Sequence, residues 1–336
     1  MKKISIKDIA RKAGVCIGTV SRVINNLDRV HPATRRKIQK LISQTGYRPS
    51  SAGRALVSGR THNILVVLHN IADPYCAALS KIFSQRWHSL GYKMLLGDSN
   101  HDVEMEREHL VRAREGSVDG LLISPIPGRS NKNAYLDMAK TGLPFVAIDN
   151  QISGLETYCV KYDDSAAASI AVDYLAGKGH EQIAFAYSWT DFQTVKDRQA
   201  GYIATLNRLG LPARSNFHSP LSTMRCEAAE AILKLMKSRI APTALLAENE
   251  IMALVCMNTL IQAGFKIPQD IALIAIGDTL ADHFSPIPLT TVSLRHDLMC
   301  HKAVETLHNM IENPKAAKQP AVQEIIKPEL IIRASA

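Results

Sequence analysis

Alternation between short apolar runs and longer amphipathic stretches is what most restricts the fold of this 336-residue chain. From Asn63 onward, apolar runs stand at residues 64–68, 94–96, 121–124 and 145–148. Amphipathic stretches at 76–89, 105–116 and 132–141 separate them, several closed by a glycine at Gly91, Gly116 and Gly142. A wholly apolar strand needs cover on both faces, and a stretch with apolar residues three and four apart needs it on one. Repeated strand–helix units meet both needs as a parallel sheet with helices on each side. The alternation resumes at 183–187, 244–247 and 271–276, interleaved with helical stretches at 166–176, 195–208, 226–236 and 251–263. Two such series predict an α/β body of two similar lobes. Ligands of these sheets bind at the carboxyl ends of the strands, here in the cleft between the lobes.

The first 60 residues differ in kind. They hold 14 Lys and Arg against two acids, Asp8 and Asp28, for a net charge of +12, while the rest of the chain carries −3. All the excess positive charge lies in this head, which is the footprint of polyanion binding. The overall composition, 46% hydrophobic and 21% charged, excludes disordered and fibrous classes. No apolar run approaches the roughly 18 residues of a membrane span, and no signal-peptide stretch follows Lys2 and Lys3, so a cytoplasmic location with no membrane partner is expected. Six cysteines at 16, 76, 159, 226, 256 and 300 form no C-x-x-C pair and have no histidine at zinc-finger spacing, so no disulfide framework and no metal are expected. The nucleotide-binding loops, the nucleophile elbow and the H-E-x-x-H signature are missing, and Gly177-Lys178-Gly179 follows a helix and serves as its stop. The expectation is a chain that is not an enzyme and takes no cofactor.

Within the head, Ile6, Ile9, Ala10 and Ala13 share one helical face, Gly14 permits a tight turn, and Val20, Val23 and Ile24 form a second apolar face. A small Ala10, then Gly14, then Val20 lets two short helices cross closely, as in a helix-turn-helix. The opposite face of the second helix presents Ile17, Gly18, Ser21, Arg22 and Asn25 to a major groove, and Pro32 opens a third helix with Ile38, Leu41 and Ile42 inward. A generic three-helix bundle with a solvated basic face is the alternative, and the charge split disfavours it.

Thr19-Val20-Ser21-Arg22-Val23-Ile24-Asn25, followed by Thr34-Arg35 and Gly46-Tyr47-Arg48-Pro49, resembles the head of the lactose/galactose repressor family of bacterial transcription factors. The resemblance extends over essentially the whole chain. It continues through Asp73-Pro74-Tyr75, Val118-Asp119-Gly120-Leu121-Leu122, Gly179-His180, Asp197-Arg198 with Gly201-Tyr202, Asn249 with Met252-Ala253, and Pro288-Leu289-Thr290-Thr291-Val292. It implies a helix-turn-helix DNA-binding domain at 1–49, a hinge helix at 50–60, and a two-lobed body at 61–336 like a periplasmic binding protein, for effector binding and dimerisation. The implied partners are palindromic double-stranded operator DNA, a small effector such as a sugar or related metabolite, and a second copy of the chain as a homodimer or dimer of dimers. The implied role is regulation of transcription, as a repressor. The body alone also resembles periplasmic sugar receptors. A sugar-binding protein without a regulatory role and a sugar-modifying enzyme are therefore the competing classes, disfavoured by the basic head and the missing signatures.

By this resemblance, Cys16, Thr19, Ser21, Arg22, Asn25 and Thr34 match positions that contact phosphates or base edges, and Ile17 and Gly18 match the pair that sets operator sequence. Ile6 and Arg29 are further DNA-facing candidates. In the hinge, Leu56 matches an apolar wedge for the minor groove and Gly53 weakens the unbound helix. Tyr75, Asp149, Arg198 and Asn249 match ligand-touching positions and suit a polyol, with Trp189 as a further stacking candidate. The chain departs from the family's pattern in places. Cys16 stands where Ser is usual, Glu250 replaces an Asp, and Gly277-Asp278 replaces two adjacent acids, which makes Asp278 the candidate substitute carboxylate. Exchanging Ile17 and Gly18 together is expected to change the preferred operator sequence, read by selection on randomised duplexes, whereas Arg22→Ala should weaken binding to all of them if its contact is to phosphate, or relax one base position if it reads guanine. An unchanged preference in the double variant would place other residues in the groove.

Overall fold

The computed structural model describes residues 4–24, 27–47, 59–126, 131–152, 154–187, 192–217, 225–279, 285–315 and 322–336. They fall into two compact units, Met1–His62 and Asn63–Ala336.

The first unit holds α1 (Ile6–Ala13), α2 (Ile17–Ile24) and α3 (Pro32–Thr45). Ser5 and Asp8 start α1 by capping one another: the Ser5 N–H donates to Asp8 Oδ2 at 3.0 Å and the Asp8 N–H to Ser5 Oγ at 3.3 Å. Gly14 ends α1 at φ 72°, a left-handed conformation that turns the chain into α2. Ile9, Ala10, Ala13, Val20, Val23 and Ile38 close a small core, with Leu41 and Ile42 packed against it. The apolar faces read from the spacing are the ones buried.

The second unit begins with β1 (Asn63–Leu68), α4 (Pro74–Ser89), β2 (Lys93–Asp98), α5 (Val103–Arg112), β3 (Gly120–Ile123), α6 (Lys132–Lys140), β4 (Phe145–Ile148) and β5 (Cys159–Tyr162). It continues with α7 (Asp164–Gly177), β6 (Ile183–Ala186), α8 (Gln193–Arg208), α9 (Arg225–Met236), β7 (Ala244–Ala247), α10 (Glu250–Gln262), β8 (Ala272–Ile276) and β9 (Thr290–Ser293), and closes with α11 (His296–Glu312), β10 (Gln323–Ile326) and β11 (Glu329–Ile331). Among the described residues one sheet runs β10-β5-β4-β3-β1-β2 with parallel pairing, and the other runs β11-β9-β8-β7-β6 with only β11 antiparallel. Every residue of β3, β4, β6, β7 and β8 is buried, as strands covered on both faces must be.

The chain passes between the sheets after β5, after β9 and after β10, so each lobe contains segments remote in sequence. The sequence pattern did not show β5, β9, β10, β11 or α11. The strands are three or four residues long and carry polar residues, leaving no run to detect. In α11, however, Met299, Cys300, Ala303, Val304, Leu307, Met310 and Ile311 are buried at helical spacing, a legible signal.

The crossing of α7 and α8 depends on Gly201. A Cβ there would collide with the Ser165 carbonyl oxygen and stand 2.9 Å from the Ser165 carbonyl carbon and Cα. Neighbouring Tyr202 is fully buried and donates from its hydroxyl to the Ile183 carbonyl at 2.8 Å, which pins α8 to β6. Because backbone cannot yield as a flexible side chain does, Gly201→Ala is expected to cost about 1–3 kcal/mol. A lowered thermal midpoint by circular dichroism checks this, and an unchanged one would mean that the two helices can separate freely.

Candidate functional site

On the head, the outer face of α2 presents Ile17, 43% exposed, with Gly18 and Arg22 exposed and Thr19 and Ser21 half-buried. Cys16 precedes the helix in the open, its Sγ 3.2 Å from Thr19 Oγ1, and hydrogen bonding to Thr19 holds the thiol below its usual range. A Cβ on Gly18 would meet only Cys16 Sγ, at 3.9 Å, so the backbone does not require glycine there and the groove-facing surface is simply bare. Arg29 is exposed at φ 67°, and Ile6 and Thr34 are half-buried. Arg35 turns inward and donates from Nη2 to the Leu27 carbonyl at 2.5 Å, tying α3 to the loop before it. Asn25, Arg48, Gly53, Leu56 and Trp189 lie outside the described residues, as does the hinge segment 50–58.

In the second unit, a cavity of about 690 Å³ opens between the lobes at the carboxyl ends of both sheets. Tyr75, Asp149, Arg198 and Asn249, far apart in sequence, all line it. A larger groove of about 920 Å³ lies on the flank of the first lobe beside Arg86, Tyr158 and His301, and none of those four side chains lines it.

Arg198 projects from α8 and is held from two sides: Nε donates to Asp164 Oδ1 at 2.7 Å and Nη1 to the Glu248 carbonyl at 2.6 Å. Asp164 is 4% exposed, and burial raises its pKa while Arg198 opposes the rise. This carboxylate fixes the guanidinium at the cavity wall; Asp197, the neighbour in sequence, instead accepts from Gln193. Asp149 follows β4 at φ 71° and is pushed up to about 6, chiefly by burial, with Tyr75 and Arg198 opposing and Asp73 reinforcing. Asn249 caps α10, its Oδ1 accepting from the Met252 N–H at 2.8 Å.

The fifth sequence candidate is corrected. Asp278 is not among the residues lining the cavity: Oδ1 accepts from Thr291 Oγ1 at 2.8 Å and pairs with Arg333 Nη1 at 3.0 Å. It ties β9 to the strand that carries the chain back as β11. Glu250 instead comes to the side of Gly277. Its Oε2 accepts from the Thr279 N–H at 2.7 Å and would stand 3.4 Å from any Cβ at 277, where φ is 106°. The two departures from the family's pattern are thus one local arrangement.

Sequence reasoning missed several lining residues. His69, Tyr75, His101 and Phe192 form an aromatic wall, with centroids 6.1 Å apart for His69–Tyr75, 5.1 Å for His69–His101 and 5.2 Å for His101–Phe192. His296, at the start of α11, lies 2.9 Å through Nδ1 from the Tyr162 hydroxyl, and its buried Nε2 has no hydrogen-bond partner among the described residues. Burial, with the Arg198 charge, lowers its pKa to about 4 and keeps it neutral. His69 and Glu248 directly follow β1 and β7, so position after a strand was the signal that could have found them.

Among the described residues, no helix is long and apolar enough to cross a membrane, and no group of His, Cys, Asp and Glu is arranged to hold a metal ion. Comparison with known proteins agrees with this two-part architecture. The family description "Bacterial regulatory proteins, lacI family" matches residues 5–50, and a periplasmic binding protein-like domain matches residues 172–336. The chain belongs to the lacI family. Its relatives are transcriptional regulators and not enzymes, and as a lacI-family member it is a DNA-binding transcriptional regulator. The transcriptional regulator DegA of Bacillus subtilis is 28% identical, covering 99% of this chain and 98% of its own, and the repressor CytR of Escherichia coli K12 is 26% identical, covering 98% and 96%. A Lac repressor dimer bound to operator and an anti-inducer superposes with TM-score 0.86 at 21% identity over 99% of each chain. A CelR–cellobiose complex gives TM-score 0.72 at 24% identity over 99% of this chain and 100% of that one.

The raised pKa of Asp149 makes the cleft costly to fold when this carboxylate is ionised. Its folded value of about 6 lies above the ordinary 3.8, so stability is lost as pH rises between these values and stays lower above 6. Asp149→Asn removes the cost and is expected to raise the melting temperature by roughly 2–4 °C above about pH 7, about 1 kcal/mol for a domain of this size. The gain should vanish by about pH 4, where the unfolded carboxyl is also protonated. Calorimetry of both proteins across this range checks the sign, and a gain largest in acid would refute the assignment.

Proposed function

We propose that this regulator is a repressor that binds a palindromic double-stranded operator as a homodimer, and that a small polyhydroxy metabolite held between the lobes controls its operator affinity. The observation that carries this is the cavity itself, where Tyr75, Asp149, Arg198 and Asn249 converge from four separate segments. Carboxylate, amide, guanidinium and aromatic ring together suit a ring compound bearing hydroxyl groups. A ligand touching both lobes favours one lobe arrangement over another by its differential affinity, typically about 1–3 kcal/mol of coupling. That CelR is described with cellobiose, and a Lac repressor dimer with operator and anti-inducer, supports the same division of labour here.

The dimer has support from the outermost strand, β2. Leu95 and Leu96 are 43% and 44% exposed on this edge, and a bare apolar edge strand is a liability unless another surface covers it. A two-fold related copy would cover it, and two heads would then read the two halves of a palindrome. For the head, Ile17, Gly18, Arg22 and Arg29 form the exposed surface offered to DNA, with Cys16, Thr19, Ser21 and Thr34 around it.

Operator binding is expected to fall roughly a thousandfold or more between about 50 and 200 mM salt, since a dimer with these heads would neutralise on the order of six to ten phosphates. A duplex selected from a randomised pool, titrated against the full chain at several salt concentrations, checks this. A protein lacking residues 1–62 should not retain the duplex, and specific retention by it would defeat the proposal.

A further inference from the structure

α7 and α8 are joined by contacts that recur at helical spacing. Gly201 packs on the Ser165 carbonyl, Thr205 Oγ1 donates to Ser169 Oγ at 2.9 Å, and Arg208 pairs with Asp173. Positions three and four apart share a helix face, so 201, 205 and 208 of α8 and 165, 169 and 173 of α7 form one seam. At the cleft end of that seam, one turn before Gly201, Arg198 meets Asp164, the residue before Ser165. The contact at Gly201 leaves no room for a Cβ, so backbone and not flexible side chains fixes how far apart this pair stands.

A carboxylate in the first turn of a helix ordinarily serves that helix by capping it. α7 has its cap already: Asp163 Oδ1 accepts from the Ala166 N–H at 2.9 Å. Asp164 turns instead to the guanidinium, and the burial that raises its pKa is a cost of placing it there. Among the described residues it is not one that lines the cavity. Its partner Arg198 is the one that meets a ligand.

An arginine free to move must be ordered by whatever binds it, and affinity is lost in doing so. Arg198 is ordered beforehand. Asp164 holds Nε and the Glu248 carbonyl holds one hydrogen of Nη1, while the other Nη1 hydrogen and both on Nη2 make no hydrogen bond among the described residues. A planar group held at two corners keeps one orientation, and the remaining donors keep theirs with it.

We infer that Asp164 is a positioning residue of the effector site: without touching the effector, it sets effector affinity by holding the Arg198 guanidinium in the orientation that meets it. The inference rests on the effector role proposed above for the cleft. Aim and charge are separable here, because a longer carboxylate supplies the same charge from the wrong distance.

The test uses the full chain with ribose, glucose, galactose, glucose 6-phosphate, gluconate, cellobiose, adenosine and cytidine as probes. Thermal shift finds the binders, and calorimetry follows the tightest of them through the variants. Asp164→Ala is expected to lose about tenfold or more in affinity, and Asp164→Glu, which keeps the charge but displaces the guanidinium, about fivefold. Asp164→Asn keeps an acceptor at the same reach and should stay within about threefold. Thr205→Ala breaks a neighbouring contact of the same seam; it should lower the thermal midpoint yet leave affinity within about twofold. A loss in Thr205→Ala as large as in Asp164→Ala would mean that helix packing sets the affinity, and overturns the inference. Full affinity in Asp164→Glu overturns it as well, and does so even if Asp164→Ala does not fold. Either result leaves the effector cleft standing. If no probe stabilises the chain, the effector role itself falls, and the inference with it.

Discussion

Short parallel strands with no polar face have to be covered on both sides, and the rest of the body follows from that requirement. Helices must lie on each face of both sheets, every strand except the edge strand β11 points the same way, and the loops that follow the parallel strands emerge at one end. One apolar core runs through both lobes, from Ile64 and Phe83 to Ile183 and Phe185, and separate cores close the far face of each sheet. The cleft is therefore where irregular backbone is permitted, and that is where the polar side chains gather. Asp149 and Glu248 both stand just past strands whose every residue is buried.

The charge of the molecule is divided between tasks that would conflict on one surface. The head concentrates positive charge on exposed side chains, where solvent lowers the cost and long-range attraction to a polyanion is strongest. The cleft holds carboxylates under partial burial, where each unpaired charge is expensive and so discriminates strongly among ligands. Arg198 belongs to both descriptions of the cleft: it is the one Lys or Arg among the described lining residues and, through Asp164 at the start of α7, a fixed part of its wall. A guanidinium committed in this way gives shape and hydrogen bonds at the site more than net positive charge.

The sequence by itself determined the division into a basic head and an α/β body, the three helices of the head and which of their faces are buried, and most of the strands of both sheets. These rest on periodicity and local charge, which act over a few residues and are written in the order of the chain. It also brought Tyr75, Asp149, Arg198 and Asn249 forward, through matches to a known family and not through any local pattern. Tertiary structure alone decided what these residues do. Asp278 looked like a substitute ligand because it stands beside Gly277 where the family's pattern has two adjacent acids, yet Arg333, 55 positions later, takes its carboxylate when β11 returns beside β9. Asp164 shows no special pattern, but the close approach of α7 and α8 at Gly201 brings it against Arg198. His296 meets the Tyr162 hydroxyl only because the chain crosses between lobes after both β5 and β9. Pairings of this kind join segments tens to hundreds of residues apart, and no local preference encodes them. They are settled by which lobe each crossing segment enters.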